Sequence, residues 1–160
     1  MAGTLKVKIE ENIILDNQDY SSKWVLEVGS IASIVKRIVN IGTNEIGLLG
    51  FGTAYNTELS KSYLAGQFDE DNVRYIRITN LDSTNHIALV LKNENNDEFG
   101  VKVDKGCSFL YCADLAGGVV DTMDSADAAG ITPNSFGDLV DITCAADTSA
   151  CDVEVFVAST

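Results

Sequence analysis

The chain has 160 residues, of which 46% are hydrophobic, and carries a formal net charge of −13. It is long enough to bury a core within one domain and too apolar to remain a solvated, disordered polymer. Its negative field would repel the phosphates of nucleic acids and of anionic lipids, so we expect neither nucleic acid nor a membrane as a partner. Neither a spanning apolar run nor a signal peptide is apparent, and we expect the protein to be made in a cytoplasm.

Alternating apolar and polar residues predict β-strands along almost the whole chain. Residues 4–10 and 152–158 both show the period of two that places one side chain in a core and the next in solvent. Strands recur at the short, even spacing of a sandwich or barrel. The predicted strands are residues 4–10, 12–15, 23–28, 33–41, 45–51, 73–80, 86–92, 98–103, 107–112, 138–144 and 152–158. We therefore predict that residues 1–160 form a single all-β domain, an antiparallel, jelly-roll-like β-sandwich.

The central strands are separated by short polar segments. Residues 80–85 contain several Asn and Asp residues, which bend chains because they tolerate left-handed backbone angles and bond their own backbone. The strands at 73–80, 86–92, 98–103 and 107–112 are thus predicted to form an antiparallel meander, with residues 80–85 as a hairpin turn.

Two segments lack this alternation and predict long loops. Residues 52–70 show weak periodicity, with room for one short strand at 62–64. Residues 113–135 are rich in Ala, Gly and Asp, with one helical turn predicted at 124–129 and the single proline at Pro133. Loops of this length are uncommon in compact domains unless they serve a function, so we expect them to make contacts.

The four cysteines are expected to be buried free thiols, because a reducing cytoplasm disfavours disulfides. Cys107 and Cys112 are an odd number of positions apart on a predicted strand and would face opposite sides of the sheet, which argues against a shared metal. Cys144 and Cys151 flank a polar loop and could form a disulfide across a hairpin outside the cell. The spacing does not fit a zinc site.

No motif indicates catalysis. The lone His86 lacks the partners that a triad or a histidine metal site requires. The chain has no Gly-x-Ser-x-Gly elbow and no phosphate-binding loop. We expect a non-enzymatic protein without a cofactor.

Calcium is the metal that the acidic loops could bind. Asp121, Asp124 and Asp127 lie within one predicted loop, and residues 69–71 form a second acidic run. Hard cations take several oxygen ligands at once, but the ordered Asp-x-Asp-x-Asp-Gly loop is missing. A solvated acidic turn is therefore the preferred interpretation, and no metal site is assigned.

A carbohydrate-binding module is an alternative, since such modules present exposed aromatic side chains. Tyr20, Trp24, Tyr55 and Tyr63 are the candidates. The aromatic content of 8% is, however, what the core and rim of a sandwich use.

Residues 73–85, with the sequence VRYIRITNLDSTN, resemble a segment of small virion structural proteins from tailed marine bacteriophages, cyanophages included. Further segments resemble the same proteins in the same order: residues 1–5, 36–39, 106–110, 141–143 and 152–158. The resemblance implies a β-sandwich subunit of a virion, assembled in the cytoplasm of a bacterial host.

From this resemblance we expect a capsid decoration or cement protein that docks on the major capsid protein and forms a homo-oligomer. A neck, tail or baseplate component remains open, as does a glycan-binding module on the virion. Docking is expected through the loops at 52–70 and 113–135 and through backbone addition of the strand at 4–10. The candidate contact residues are Leu5, Val7, Trp24, Tyr55, Tyr63 and Pro133.

Overall fold

The computed structural model describes residues 2–52, 63–112 and 136–160, and these residues form an all-β sandwich of two facing sheets with a separate ribbon. The ribbon contains β1 (Gly3–Glu11), β2 (Ile14–Leu15), β3 (Gln18–Asp19) and β4 (Ser22–Ile31). The four-stranded sheet contains, in spatial order, β11 (Ser108–Tyr111), β8 (Val73–Asn80), β13 (Cys151–Ser159) and β5 (Ser33–Ile41). The five-stranded sheet contains, in spatial order, β10 (Glu98–Val103), β9 (Ile87–Asn93), β12 (Leu139–Ala146), β6 (Ile46–Phe51) and β7 (Gly66–Phe68).

The strand order is that of a jelly roll. After the ribbon, β5 pairs with β13, β6 with β12, β8 with β11 and β9 with β10, all antiparallel. Leaving out the short β7, the first strand thus pairs with the last, the second with the second-last, and so on inward. Rolling up such a nested ribbon produces two packed sheets and buries one face of each. The predicted all-β, jelly-roll-like sandwich is confirmed.

The predicted central meander is wrong, because β8 and β11 are neighbours in one sheet and β9 and β10 are neighbours in the other, so only one of the three expected consecutive pairs, β9 with β10, is formed. The chain crosses from one sheet to the other after β8 and again after β10, so residues 80–85 form an inter-sheet connection and not a hairpin turn. Ile78 and Leu89 therefore meet in the core from opposite sheets, and both are fully buried. The connection is held by Asn80, whose Nδ2 donates to the carbonyl oxygens of Asn85 and Val103 at 2.9 and 3.3 Å.

The core between the sheets is built from the apolar positions of the alternating strands. In β13, Val153, Val155 and Val157 are buried, whereas the alternating residues Asp152 and Glu154 face outward. Burying each such side chain contributes about 1.5–3 kcal/mol relative to leaving it exposed. The largest fully buried side chains are Ile41, Leu48, Leu49, Ile76, Ile78, Ile87, Leu89, Leu139 and Ile142.

The prediction of a loop at 52–70 is partly wrong, because the later part of this segment is regular structure. β7 pairs in parallel with β6, and Glu70–Asn72 form a 3₁₀ turn. The described part of the short strand predicted at 62–64 is not a strand. β7 was missed because it spans only three residues and begins at Gly66, whose φ of 125° suits glycine alone. The remaining residues of this loop, 53–62, lie outside the described residues, as do the loop at 113–135 and its predicted helical turn.

The strand predicted at 12–15 is shorter in the structure. Only Ile14 and Leu15 pair, as β2, with β3. Between β2 and β3, Asp16 and Asn17 have φ angles of 51° and 61°. A two-residue hairpin turn of type I′ requires such left-handed values at both positions.

Candidate docking surface

The ribbon, residues 3–31, is here called the arm. β1 and β4 pair antiparallel, with Leu5 opposite Val28 and Glu11 opposite Ser22, and the β2–β3 hairpin closes the far end. Since side chains alternate along each strand, one face of the arm is apolar over most of its length. The side chains of this face are Leu5, Val7, Ile9, Trp24, Leu26 and Val28.

The inner part of the arm packs on the outer face of the four-stranded sheet and forms a second, smaller core. We call this part the arm root; its side chains in this core are Leu5, Val7, Leu26, Val28 and Ile31. Val7 and Ile31 are buried there against Tyr75 and Ala158. The rings of Tyr75 and Phe156 meet edge-on, with centroids 5.7 Å apart. Edge-to-face packing of this kind adds stability beyond the buried area, and it attaches the arm firmly to the sandwich.

Beyond the root the arm leaves the sandwich. Every residue from 9 to 25, which we call the arm tip, is exposed. Ile14 is 75% exposed and Leu15 is 57% exposed. Several exposed apolar side chains on one projecting element mark an interaction site more often than an isolated exposed side chain does. The exposed apolar side chains of the arm tip are Ile9, Ile13, Ile14, Leu15, Tyr20, Trp24 and Val25.

Hydrogen bonds give the arm tip a defined shape. The amide of Tyr20 donates to the carbonyl oxygen of Ile13 at 3.0 Å, and the Tyr20 hydroxyl donates to Gln18 at 2.6 Å. The carboxylate of Asp19 accepts from the amide of Ser21 at 2.8 Å, and its hydrogen bonds to this serine lower the pKa of Asp19. A preorganised hairpin loses less entropy on docking than a flexible tail would.

A second exposed apolar strip lies on β5, at the edge of the four-stranded sheet. Within the described part of the chain, no strand pairs with the outer edge of β5. Ile34 is 57% exposed and Ile38 is 62% exposed. Lys36 lies between them, with its Nζ 3.1 Å from Oε2 of Glu154, and Arg37 is exposed beside it. We call Ile34, Lys36, Arg37 and Ile38 the β5 surface.

The β5 surface is locally cationic although the chain is strongly acidic. Arg77 and Lys36 both bond Glu154, and these two cations, Arg77 foremost, hold the pKa of Glu154 below its usual range. Asp152 accepts a hydrogen bond from Asn40 at 2.8 Å. Lys36 and Arg77 thus stand with Glu154 and Asp152 on the outer face of β5, β13 and β8, and Arg37, on the opposite face of β5, is a further exposed cation.

The described candidate contact residues fall into three settings. Leu5 is half-buried and Val7 is buried in the arm root. Trp24 lies on the arm tip and is 45% exposed. Tyr63 is half-buried, and its hydroxyl lies 3.4 Å from a carboxylate oxygen of Asp141, where burial raises the pKa of Tyr63 to about 12.

Several candidates lie outside the described residues, so the structure says nothing about them. They are Tyr55, Asp121, Asp124, Asp127 and Pro133. Among the described residues, no cluster of three or more His, Cys, Asp or Glu side chains is arranged to hold a metal ion. In the acidic run at 69–71, Glu70 is buried, and burial raises the pKa of its carboxyl group.

The four thiols are free. Cys144 and Cys151 are buried, whereas Cys107 is exposed, contrary to the expected burial, and Cys112 is half-buried. Burial raises the pKa of Cys144 to about 12. Cys144 and Cys151 do not belong to one hairpin, since β12 and β13 lie in different sheets, but both thiols are in the core between the sheets, and Cys151 adds to the rise in the pKa of Cys144.

The sequence contained an overlooked signal for both apolar strips. Residues 13–15 are three consecutive apolar residues beside a turn, where solvated residues are expected. In β5, Ile34, Val35, Ile38 and Val39 put apolar side chains on both faces, which a strand with one solvated face would not need.

Comparison with known proteins gives no family assignment: no family model matches the chain, and no curated protein is significantly similar to it. In the described ranges, no helix has the length and apolar character needed to cross a membrane.

Proposed function

We propose that the chain is a non-enzymatic structural subunit of a tailed-phage virion and that its arm holds it to neighbouring proteins. The observation that carries this proposal is the arm tip, an ordered hairpin that projects from the sandwich and exposes seven large apolar side chains. The core between the sheets and the arm root include no residue from 9 to 25. The tip therefore serves a purpose other than folding the domain.

Maintaining such a tip in solution is unfavourable unless a partner covers it. Ordering the backbone costs about 1–2 kcal/mol per residue, and within a domain this cost is offset by burial. Burying apolar surface against another protein would contribute about 25 cal/mol per Å². The hydrogen bonds of Tyr20 and Asp19 hold the hairpin in one shape before docking, which favours specific contact over adhesion.

The placement in a virion follows from the resemblance of residues 73–85 and the other similar segments to phage structural proteins. We place the chain on the capsid exterior as a decoration or cement protein that contacts the major capsid protein. On a symmetric shell each contact is repeated many times, so weak contacts through the arm add up to stable attachment.

Quantitative mass spectrometry of purified particles tests the proposal. A decoration protein is present in hundreds of copies per particle, and particles that lack it lose capsid stability. Copy numbers in small multiples of three or six would instead indicate a neck, tail or baseplate component. Absence of the chain from purified particles would contradict a structural role of either kind.

A glycan-binding role has one observation in its favour. Tyr20 is 57% exposed and Trp24 is 45% exposed on the arm tip, and exposed aromatic rings can stack on sugar rings. This role predicts saturable glycan-array binding that is lost in Trp24→Ala and kept in Phe99→Ala, which alters an exposed aromatic residue on β10. No binding by the unaltered chain would exclude it for the glycans tested.

A further inference from the structure

We propose that the arm tip of one copy docks on the β5 surface of a second copy of this chain. The inference deepens the proposed function and rests on it in one respect, namely that the arm is an assembly element. In this contact the arm tip of one copy and the β5 surface of the other cover each other, so both exposed apolar strips have the same partner.

The two strips match in apolar character, and each lies on β-strands. The tip presents Ile14 and Leu15 on a two-stranded hairpin, and β5 presents Ile34 and Ile38 on the open edge of a sheet. An open edge offers unpaired backbone N–H and C=O groups to which another strand can add. Docking would cover these groups together with the apolar side chains beside them.

The two strips also match in charge. The arm tip carries four carboxylates against the single cation of Lys23, which gives a net charge of −3. The β5 surface supplies Lys36 and Arg37, with Arg77 on a nearby strand. Attraction between opposite charges favours this pairing, while repulsion from the acidic remainder of the chain disfavours docking elsewhere. The carboxylates of the tip are Glu10, Glu11, Asp16 and Asp19.

The contact joins two different patches, so it is heterologous, and every copy can donate a tip and accept one. Such a contact produces closed rings or reciprocal pairs when the geometry closes. Docking of a tip on its own β5 would instead be independent of protein concentration, which an association measurement distinguishes.

Sedimentation velocity of the full chain tests the inference at about 1 µM and about 100 µM, a range that spans micromolar affinities. The unaltered chain should associate as concentration rises. Ile14→Glu on the tip and Ile38→Glu on β5 should each abolish association at both concentrations. Phe99→Glu is the matched control, because it places the same charge at an exposed apolar site on β10 and should associate normally.

Mixing the two defective variants gives the sharper result. Ile14→Glu retains an intact β5 surface and Ile38→Glu retains an intact tip, so the mixture should form a two-chain complex that neither variant forms alone. All substituted positions are exposed, and Leu15→Glu with Ile34→Glu provides a second pair if either variant fails to fold. A monomeric unaltered chain at about 100 µM, normal association of Ile38→Glu, or a mixture that stays monomeric would overturn the inference.

The outcomes separate this inference from the proposed function. Particles that contain the chain, together with no self-association in solution, would contradict only the docking of one copy on another. Self-association of a chain that is absent from particles would contradict only the virion role.

Discussion

Ile9 and Trp24 oppose each other directly across the arm. They are the next pair on the same face beyond Val7 and Leu26. Val7 is 8% exposed, whereas Ile9 is 36% and Trp24 is 45% exposed. The apolar face of the arm is thus continuous, but the sandwich covers only its inner half. This boundary separates the part of the arm that folds the domain from the part that is available to a partner.

Removing the arm tip should leave the sandwich intact. Glu11 and Ser22 are the last opposed pair of β1 and β4, so replacing residues 12–21 by Asn-Gly closes the ribbon with a two-residue turn. Because none of the removed residues is buried, the free energy of unfolding in urea should change by less than about 0.5 kcal/mol. Val7→Ala, in the arm root, should cost about 2 kcal/mol. A large loss of stability in the shortened chain would mean that the tip belongs to the fold.

Glu154 should stabilise the fold at neutral pH and not in acid. Arg77 and Lys36 lower the pKa of Glu154 from its ordinary value of 4.5, so its contribution is present above that value and is lost as the pH falls through the folded pKa. Glu154→Gln should cost about 0.5–1 kcal/mol near neutral pH, and the cost should shrink below the ordinary value. Urea unfolding of both proteins near neutral pH and below pH 4.5 measures this difference in the free energy of unfolding. Glu94→Gln, at an exposed carboxylate, is the control, and a cost independent of pH would refute the ion-pair explanation.

Glu70 should have the opposite pH dependence. Its carboxyl group is buried, and Oε2 has no hydrogen-bond partner among the described residues, so burial, followed by nearby carboxylates, raises its pKa above 4.5. The neutral form is the one the fold favours, so stability is lost as the pH rises from 4.5 through the folded pKa.

Glu70→Gln should therefore stabilise the protein near neutral pH by about 1 kcal/mol and change little in acid. Thermal melts near neutral pH and below pH 4.5 measure the difference in stability between Glu70→Gln and the unaltered chain, with Glu94→Gln again as the control. Destabilisation by Glu70→Gln at neutral pH would show that the charged carboxylate is held by a favourable partner.

The thiols should differ in reactivity according to their burial. Cys107 is exposed and should react rapidly with a maleimide in the folded protein. Cys144 and Cys151 are buried, and with the pKa of Cys144 at about 12 almost no thiolate is present at neutral pH. Peptide mass spectrometry after a short pulse should find label on Cys107 and none on these two until urea is added. Equal labelling without urea would contradict the packing of β12 and β13.

Much of the fold could be predicted from alternation, but the pairing of strands could not. The bounds of β8 at 73–80 and β10 at 98–103 agree with the sequence prediction because apolar and polar residues alternate over much of each strand and turn residues follow it. Alternation tells which face of a strand is buried and not which strand lies beside it. Two strands that bury apolar faces against each other from opposite sheets therefore have the same pattern as two neighbours in a meander.

The docking surface could be predicted only in part. The arm was expected to make contacts through Leu5, Val7 and Trp24. Trp24 is 45% exposed, whereas Leu5 is half-buried and Val7 is buried in the arm root. Their burial depends on Tyr75 and Phe156, far away in sequence and on strands whose outer faces were expected to be solvated. The proposed contact surface includes Trp24, one of the sequence candidates, and side chains of the short β2–β3 hairpin and of an edge strand, where periodicity is weakest.

The proposed role of the arm tip is to hold this chain to its neighbours in a particle. The most direct test supplies the chain with Asn-Gly in place of residues 12–21 to assembling particles and counts copies by quantitative mass spectrometry, with Phe99→Glu as the control. The shortened chain is expected to fold and accumulate in the cell but to be missing from particles, while the control is incorporated at the normal copy number. Incorporation of the shortened chain at the normal copy number would contradict it.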